Sequence, residues 1–416
     1  MTAPGTAART AAGTAARANI DALTGLRFVA AFSIVLGHAY RPWLEVTAIG
    51  MPLFFTLSGF IIHYVYSEAF GGRWRRAAGE FAIARFSRLY PLYLALLAFL
   101  ILHEPAGRSF GHLQNIPAFL AYAAACWTWW PILIDGHLAG FFYVSWSVST
   151  EIFFYVCYAL VLYRIARIRS VTTCLAALLL FCVLAYAFFF ALFVMRDMWE
   201  PAVLQGHPAL VARTADYNRS FYRWLLYLSP YCRLPEFIGG VLTCQLFLLS
   251  RRQRSLLDRV RPAALGLVGI AVMAVLYAQF RYFGEHDPWY AADHFTYGAF
   301  IVNLHQNFLF APCCYALIFS LACGGWALAR ALSSRPALFC GDVSYSTYLS
   351  HEMVLAKLHQ LGVDASATVP YLAVLLAIVY VVSWLLYSLV EMPAKGLLRT
   401  LLSNRAPRRA AVPASE

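Results

Sequence analysis

Charge is what this sequence lacks most. Asp, Glu, Lys and Arg make up only 12% of its 416 residues, about half the share carried by a soluble domain, which argues against an ordinary water-soluble fold. Long polar stretches are missing too. Apolar runs recur from about residue 22 to about residue 396 with no long hydrophilic insert, and no internal repeat stands out. The ten cysteines (126, 157, 174, 182, 232, 244, 313, 314, 323 and 340) fall within or beside those runs, and none forms a Cys-x-x-Cys pair. They therefore read as small buried hydrophobes rather than disulfides or metal ligands. What the chain does have is apolar bulk: 61% hydrophobic, 16% aromatic and a mean hydropathy of +0.64. This composition predicts an all-α polytopic membrane protein built as a single helical-bundle domain.

The net charge of +12 does not indicate nucleic acid, because Lys and Arg gather in short segments between apolar runs, as the positive-inside rule requires. About ten transmembrane helices are expected, near 22–41, 50–67, 84–103, 141–163, 171–195, 225–249, 263–283, 299–325, 337–358 and 370–395. Each is close to the roughly 20 residues that cross a bilayer core. With both termini cytoplasmic, the clusters Arg73–Arg76, Arg164–Arg169, Arg251–Arg261, Arg330 with Arg335, and Lys395–Arg409 all fall inside. The acidic segment Glu285–His294 then falls outside. This holds only if Leu113–Leu133 lies at the outer face without crossing. Residues 1–19 and 401–416 are expected to be disordered tails flanking a membrane domain at 20–400. The first apolar run contains Arg27 and His38 and lacks a clear cleavage site, so it reads as a retained span rather than a signal peptide.

Ionisable groups inside membrane helices are costly and by default mark a site. Arg27 and His38 lie eleven residues apart on one apolar stretch, about 16 Å along a helix axis. With the orientation above, Arg27, Arg85 and Arg88 form an inner cationic layer, and His38, Glu151 and His351 an outer acid–base layer. Arg85 and Arg88, at i, i+3, share a helix face and suit a phosphate clamp; snorkelling at a helix end is the plainer alternative. A buried Glu151 must be paired or protonated, and a His–Glu pair with His38 or His351 would hold an imidazole in one tautomer. Ser58, Trp146, Ser147, Tyr345 and Tyr348 are candidate substrate-binding residues whose alternative role is hydrogen bonding between helices. Trp127, Trp129 and Trp130 read either as an interfacial belt or as a sugar-stacking platform.

Several segments carry a resemblance to a known family. They are Arg27-x10-His38, MPLFFTLSGFIIH (Met51–His63), Arg85-x-x-Arg88 before Pro91-x-Tyr93, SWSVSTEIFFY (Ser145–Tyr155), RLPEFIGGVL (Arg233–Leu242), GDVSYSTYLSH (Gly341–His351) and SWLLYSLVEMPAKG (Ser383–Gly396). Seven motifs in order, over nearly the whole chain, resemble the acyltransferase-3 family of integral membrane O-acyltransferases. Ser350 stands where the family often has Trp, Met392 where it often has Arg, and Ala22 and Thr24 depart from its usual start; these positions bear on substrate subtype. Some members carry an extra extracytoplasmic esterase-like domain, which is not expected here.

The resemblance implies transfer of an acyl group, by default acetyl, from cytosolic acyl-CoA to a hydroxyl of a carbohydrate or glycoconjugate. The enzyme would work in the cell membrane with no bound cofactor and no metal. The arginines would hold the CoA phosphates. His38 would act as general base, with Glu151 or His351 orienting it or stabilising its charge, and an acyl-enzyme on Ser58 is a further route. The rival class is a secondary transporter with a His/Glu proton relay, but no pair of Gly/Pro-interrupted spans recurs in matching halves.

Overall fold

In lipid each backbone amide must find its partner inside its own segment, so long apolar runs fold as helices. The computed structural model describes residues 5–40, 45–103, 116–131, 141–207, 210–254, 256–286, 296–305, 307–361 and 369–403. The first half contains α1 (Gly5–Ala39), α2 (Thr47–Phe70), α3 (Trp74–His103), α4 (Ile116–Ala123), α5 (Trp146–Leu160), α6 (Val171–Val194), α7 (Arg196–Gly206) and α8 (Phe221–Arg223). The second contains α9 (Pro230–Ser250), α10 (Pro262–His286), α11 (Tyr297–Leu304), α12 (Ala311–Cys323), α13 (Ala327–Leu332), α14 (Arg335–Asp342), α15 (Ser344–Gln360), α16 (Val369–Leu386) and α17 (Met392–Ser403). The fold is all-α; among the described residues the sole β feature is an isolated bridge between Val211 and Ser220.

Seven helical stretches of the described residues are long and apolar enough to cross a membrane: Ile20–Ala39, Thr47–Phe70, Trp74–His103, Val171–Val194, Phe221–Ser250, Pro262–His286 and Leu372–Leu398. The other three expected spans are broken. Residues 141–163 form a 15-residue α5 flanked by 3₁₀ turns at Tyr143–Ser145 and Leu162–Arg167. Residues 299–325 divide into α11 and α12, with Pro312 in the first turn of α12. Residues 337–358 divide at Val343 between α14 and α15. A hydropathy window averages across such breaks and does not register them.

The expected N-terminal tail, residues 1–19, is described from Gly5 onward. The backbone is helical from Gly5, as fits a stretch rich in alanine, the residue with the highest helix propensity. Residues 404–416 of the expected C-terminal tail lie outside the described residues, as do 287–294 of the acidic segment. Within Leu113–Leu133, α4 has 8 residues, or about 12 Å, too short to cross; 113–115 and 132–133 lie outside the described residues. Between α6 and α9, Arg213 ion-pairs with both Asp197 and Glu200.

Perimeter helices turn apolar side chains outward: Leu180, Val183 and Leu184 on α6, Leu267 and Val275 on α10, Val381 on α16. Such a surface suits lipid and not water. The centre is α2, which packs against α1, α3, α9 and α12. Its closest approach, to α9, depends on glycine. A Cβ on Gly59 would sit 2.2 Å from the Phe237 carbonyl oxygen, and one on Gly240 would sit 2.2 Å from that of Thr56. The two segments LSGF and EFIGG are thus two sides of one backbone contact. Gly240→Ala is expected to cost about 1–3 kcal/mol or more through overpacking, read as a fall in Tm in detergent. Gly79→Ala, where nothing lies within 4 Å, serves as the control. Equal melting of the two variants would contradict this contact.

Candidate active site

On α1 the eleven-residue step from Arg27 to His38 makes about three turns, so both side chains leave one face, about 16 Å apart along the axis. The facing stripe of α2 runs Met51, Phe54, Phe55, Ser58, Ile61 and Ile62, at the i, i+3, i+4 spacing of one helix face. Between these stripes and α3, α5 and α15 lie two adjoining compartments.

The first is a cavity of about 70 Å³ lined by Arg27, Ser58, Arg85, Arg88, Glu151 and Tyr345, with Ser147 at its wall. Arg85 donates from Nη2 to the Tyr66 hydroxyl at 3.2 Å, its guanidinium stacks over the Tyr66 ring at 5.2 Å, and its buried Nε has no partner. Three guanidinium groups face one carboxylate, so the cavity carries an excess of positive charge and is complementary to an anion.

Glu151 lies in this cavity, where it accepts a hydrogen bond from Ser58 Oγ at 3.0 Å. The expected pairing of Glu151 with His38 or His351 is therefore corrected: the two compartments are stacked along the helix axes, and Glu151, more than a turn beyond Trp146 on α5, lines the one that holds the arginines. Ser147 Oγ and the hydroxyls of Tyr345 and Tyr348 donate to the backbone carbonyls of Val144, Leu89 and Val144 respectively. The two tyrosines thereby tie separate elements together while lining the cavity, and the Ser147 bond stays within its own segment.

The second compartment is a chamber of about 10 Å³ around His38, walled by Met51, Tyr143, Trp146, Tyr227 and Tyr348, with room for about one water. Met51 and Tyr348 line both compartments. The walls are themselves braced. Arg223 Nη2 donates to the Tyr143 hydroxyl at 2.8 Å. Arg233, fully buried with its ion-pair partner Glu236 at 3.1 Å, lies 5.2 Å from the Trp146 ring and 5.0 Å from that of Tyr227.

His38 Nδ1 lies 2.8 Å from His351 Nε2 and 3.5 Å from Glu352 Oε1. His351 Nδ1 is 2.5 Å from the Tyr348 carbonyl oxygen, which can only accept, so that nitrogen carries hydrogen. Neutral His351 therefore presents a lone pair at Nε2, and His38 Nδ1 donates to it. The free nitrogen of His38 is then Nε2, carrying an unshared lone pair. For two neutral imidazoles, this chain of tautomers is the assignment that the hydrogen-bond network requires. His38, His351 and Glu352 offer ligand atoms within 4.8 Å of one another, the one such set among the described residues. Two nitrogens sharing a tetrahedral zinc would stand about 3.3 Å apart, so the observed separation is that of a hydrogen-bonded pair.

The sequence reading missed Glu352, Tyr143, Tyr227 and Arg223. Glu352 directly follows His351, and a second ionisable group in the same helix was the available signal; the aromatic walls had none. Of the tryptophans, Trp127 is fully buried and donates to Ser145 Oγ at 3.0 Å, and Trp129 Nε1 donates to the Ser149 carbonyl at 3.0 Å. Trp127 is thus core, and only the half-exposed Trp130 retains a surface role.

The chain is 21% identical over 389 residues to the O-acetyltransferase OatA of Staphylococcus aureus, covering 90% of this chain and 57% of OatA. It is 24% identical over 348 residues to the putative peptidoglycan O-acetyltransferase YrhL of Bacillus subtilis, covering 81% of this chain and 48% of that protein. A putative O-acetyltransferase of S. aureus, SACOL0978, is 22% identical over 386 residues, with 90% and 57% covered. The chain thus spans about half the length of these curated relatives. No solved structure matches it significantly. The family model Acyl_transf_3, an acyltransferase domain, matches residues 20–388, and on that match the chain belongs to the acyltransferase-3 family.

Proposed function

We propose that this protein moves an acyl group, acetyl first among candidates, from cytosolic acyl-CoA to a hydroxyl of a carbohydrate or glycoconjugate at the opposite side of the membrane. The observation that carries this reading is the adjoining of two compartments along one face of α1, one cationic and one holding an unshared imidazole lone pair, with Met51 and Tyr348 common to both. Arg27, Arg85 and Arg88 hold the donor's diphosphate. The pantetheine arm passes Met51, an unbranched side chain able to swing aside, and delivers the thioester to the chamber. The acceptor sugar meets the aromatic wall of Tyr143, Trp146 and Tyr227, which has to part to admit it, because the chamber as it stands holds about one water. The protein sits in the cell membrane with both termini cytoplasmic, as the interhelical arginine clusters support.

In the chemical step the acceptor hydroxyl gives its proton to His38 Nε2 as its oxygen attacks the thioester carbonyl carbon. The new C–O bond forms, the C–S bond breaks, the electron pair leaves on the CoA sulfur, and the proton passes from His38 to that thiolate. During transfer His38 is an imidazolium, which Glu352, 3.5 Å from Nδ1, stabilises. His351 positions it by fixing its tautomer. This chemistry uses protein side chains alone.

A second reading rests on the 3.0 Å hydrogen bond from Ser58 to Glu151: transfer in two steps through an acyl-Ser58 ester. Purified protein given labelled acetyl-CoA without acceptor tests it. Label that stays on the denatured protein and disappears in Ser58→Ala selects the two-step route; unlabelled protein selects direct transfer. The same preparation, with acceptor and no ion gradient, tests the function itself. Release of labelled product supports acyl transfer, and substrate movement driven by a proton gradient with no acyl-CoA consumed would support a transporter instead.

A further inference from the structure

Beyond these two compartments a third lies farther along α2. It is a cavity of about 480 Å³ lined by Ser67 and Glu68 of α2, by Gly71 just past its end, by Arg164, Arg167 and Arg169, and by Arg252. Arginines between spans need no ligand to account for them. What these add is convergence. Leu162–Arg167 is a 3₁₀ segment, in which residues i and i+3 eclipse, so Arg164 and Arg167 leave the same side and both face the cavity. Arg252 is neutralised by Glu68 at 2.8 Å. Arg164, Arg167 and Arg169 have no carboxylate partner among the described residues, and Arg164 stacks over Tyr163 at 5.6 Å.

The position matters as much as the charge. Along α2 the histidine chamber lies at Met51, the cationic cavity at Ser58–Ile62 and this cavity at Ser67–Gly71. From Met51 to Ser67 is about 24 Å at the helical rise, on the scale of an extended coenzyme A. Between the last two compartments stand Tyr66, bonded to Arg85, and Phe81, whose ring lies 4.9 Å from that of Tyr66.

We propose that this basic cavity holds the adenosine end of the donor, with Arg164 and Arg167 on its 3′-phosphate. The inference rests on the acyl-CoA reading above. The test uses the purified full chain in phosphatidylcholine vesicles with two donors, acetyl-CoA and acetyl-3′-dephospho-CoA. The protein carrying Arg164→Gln with Arg167→Gln is expected to raise the KM for acetyl-CoA about tenfold, to the value of the dephospho donor, and to leave the latter's KM unchanged. Such a cycle isolates the phosphate–arginine coupling. A KM that rises equally for both donors, or for neither, overturns the proposal. So does a defect seen only in vesicles containing phosphatidylglycerol and alike for both donors, which assigns the cavity to a lipid headgroup. If the unsubstituted protein consumes neither donor, the acyl-CoA reading itself fails. If it uses both with equal KM, this inference alone fails.

Discussion

His38→Ala is expected to lower acyl transfer by about 10²–10⁴-fold, the range contributed by a positioned general base, while the protein still inserts and melts like the parent. The substitution is mild for the fold: alanine is the best helix former, and His38 lies one residue before the end of α1. The loss should appear in kcat with little change in the KM for acyl-CoA, because the donor's charged groups are gripped about 16 Å away along the axis. Added imidazole should restore part of the rate if the missing element is a base and not a shape. Undiminished turnover would refute the role of His38, and a lower rate accompanied by a lower Tm would show a packing residue instead.

Arg85→Ala combined with Arg88→Ala should act on the other parameter. Charge-assisted hydrogen bonds are worth about 1.5–3 kcal/mol each, so losing two should raise the KM for acetyl-CoA about 100-fold or more, at roughly tenfold per 1.4 kcal/mol. Arg88→Lys alone should recover part of the binding, since an ammonium keeps the charge but not the planar fork. An unchanged KM in the double variant, with protein folded and inserted, would remove the clamp. A matching fall in kcat for every donor would instead assign the arginines to helix packing.

Much of this site can be read from the chain because helices convert spacing into position. The eleven-residue step from Arg27 to His38 sets both their separation and their common face, and the three-residue step from Arg85 to Arg88 sets a shared face. What spacing does not supply is the neighbour across the gap. Glu151 reads from spacing as an outer-layer group, and only the packed helices set it beside Ser58 and the arginines. Glu352 lies one residue past the end of GDVSYSTYLSH, so the motif does not mark it. The wall of Tyr143 and Tyr227 is assembled from a 3₁₀ turn and a π-helical segment, Trp224–Leu228, neither of which has a periodicity that announces a face. The breaks at Val343 and before Pro312 were hidden for a related reason: averaged hydropathy is blind to a change of direction. Gly59 and Gly240 were recognisable as motif positions, but their mutual contact is a property of two packed backbones.

The most direct test of the central claim separates the two substrates by a membrane. Sealed proteoliposomes would receive labelled acetyl-CoA on the side of the Arg164–Arg169 segment and the acceptor saccharide on the other side alone, with no ion gradient. The account predicts labelled saccharide in the acceptor's compartment and free CoA in the donor's, both lost in His38→Ala. Label appearing only when both substrates share one side, or only when a gradient is imposed, would contradict it.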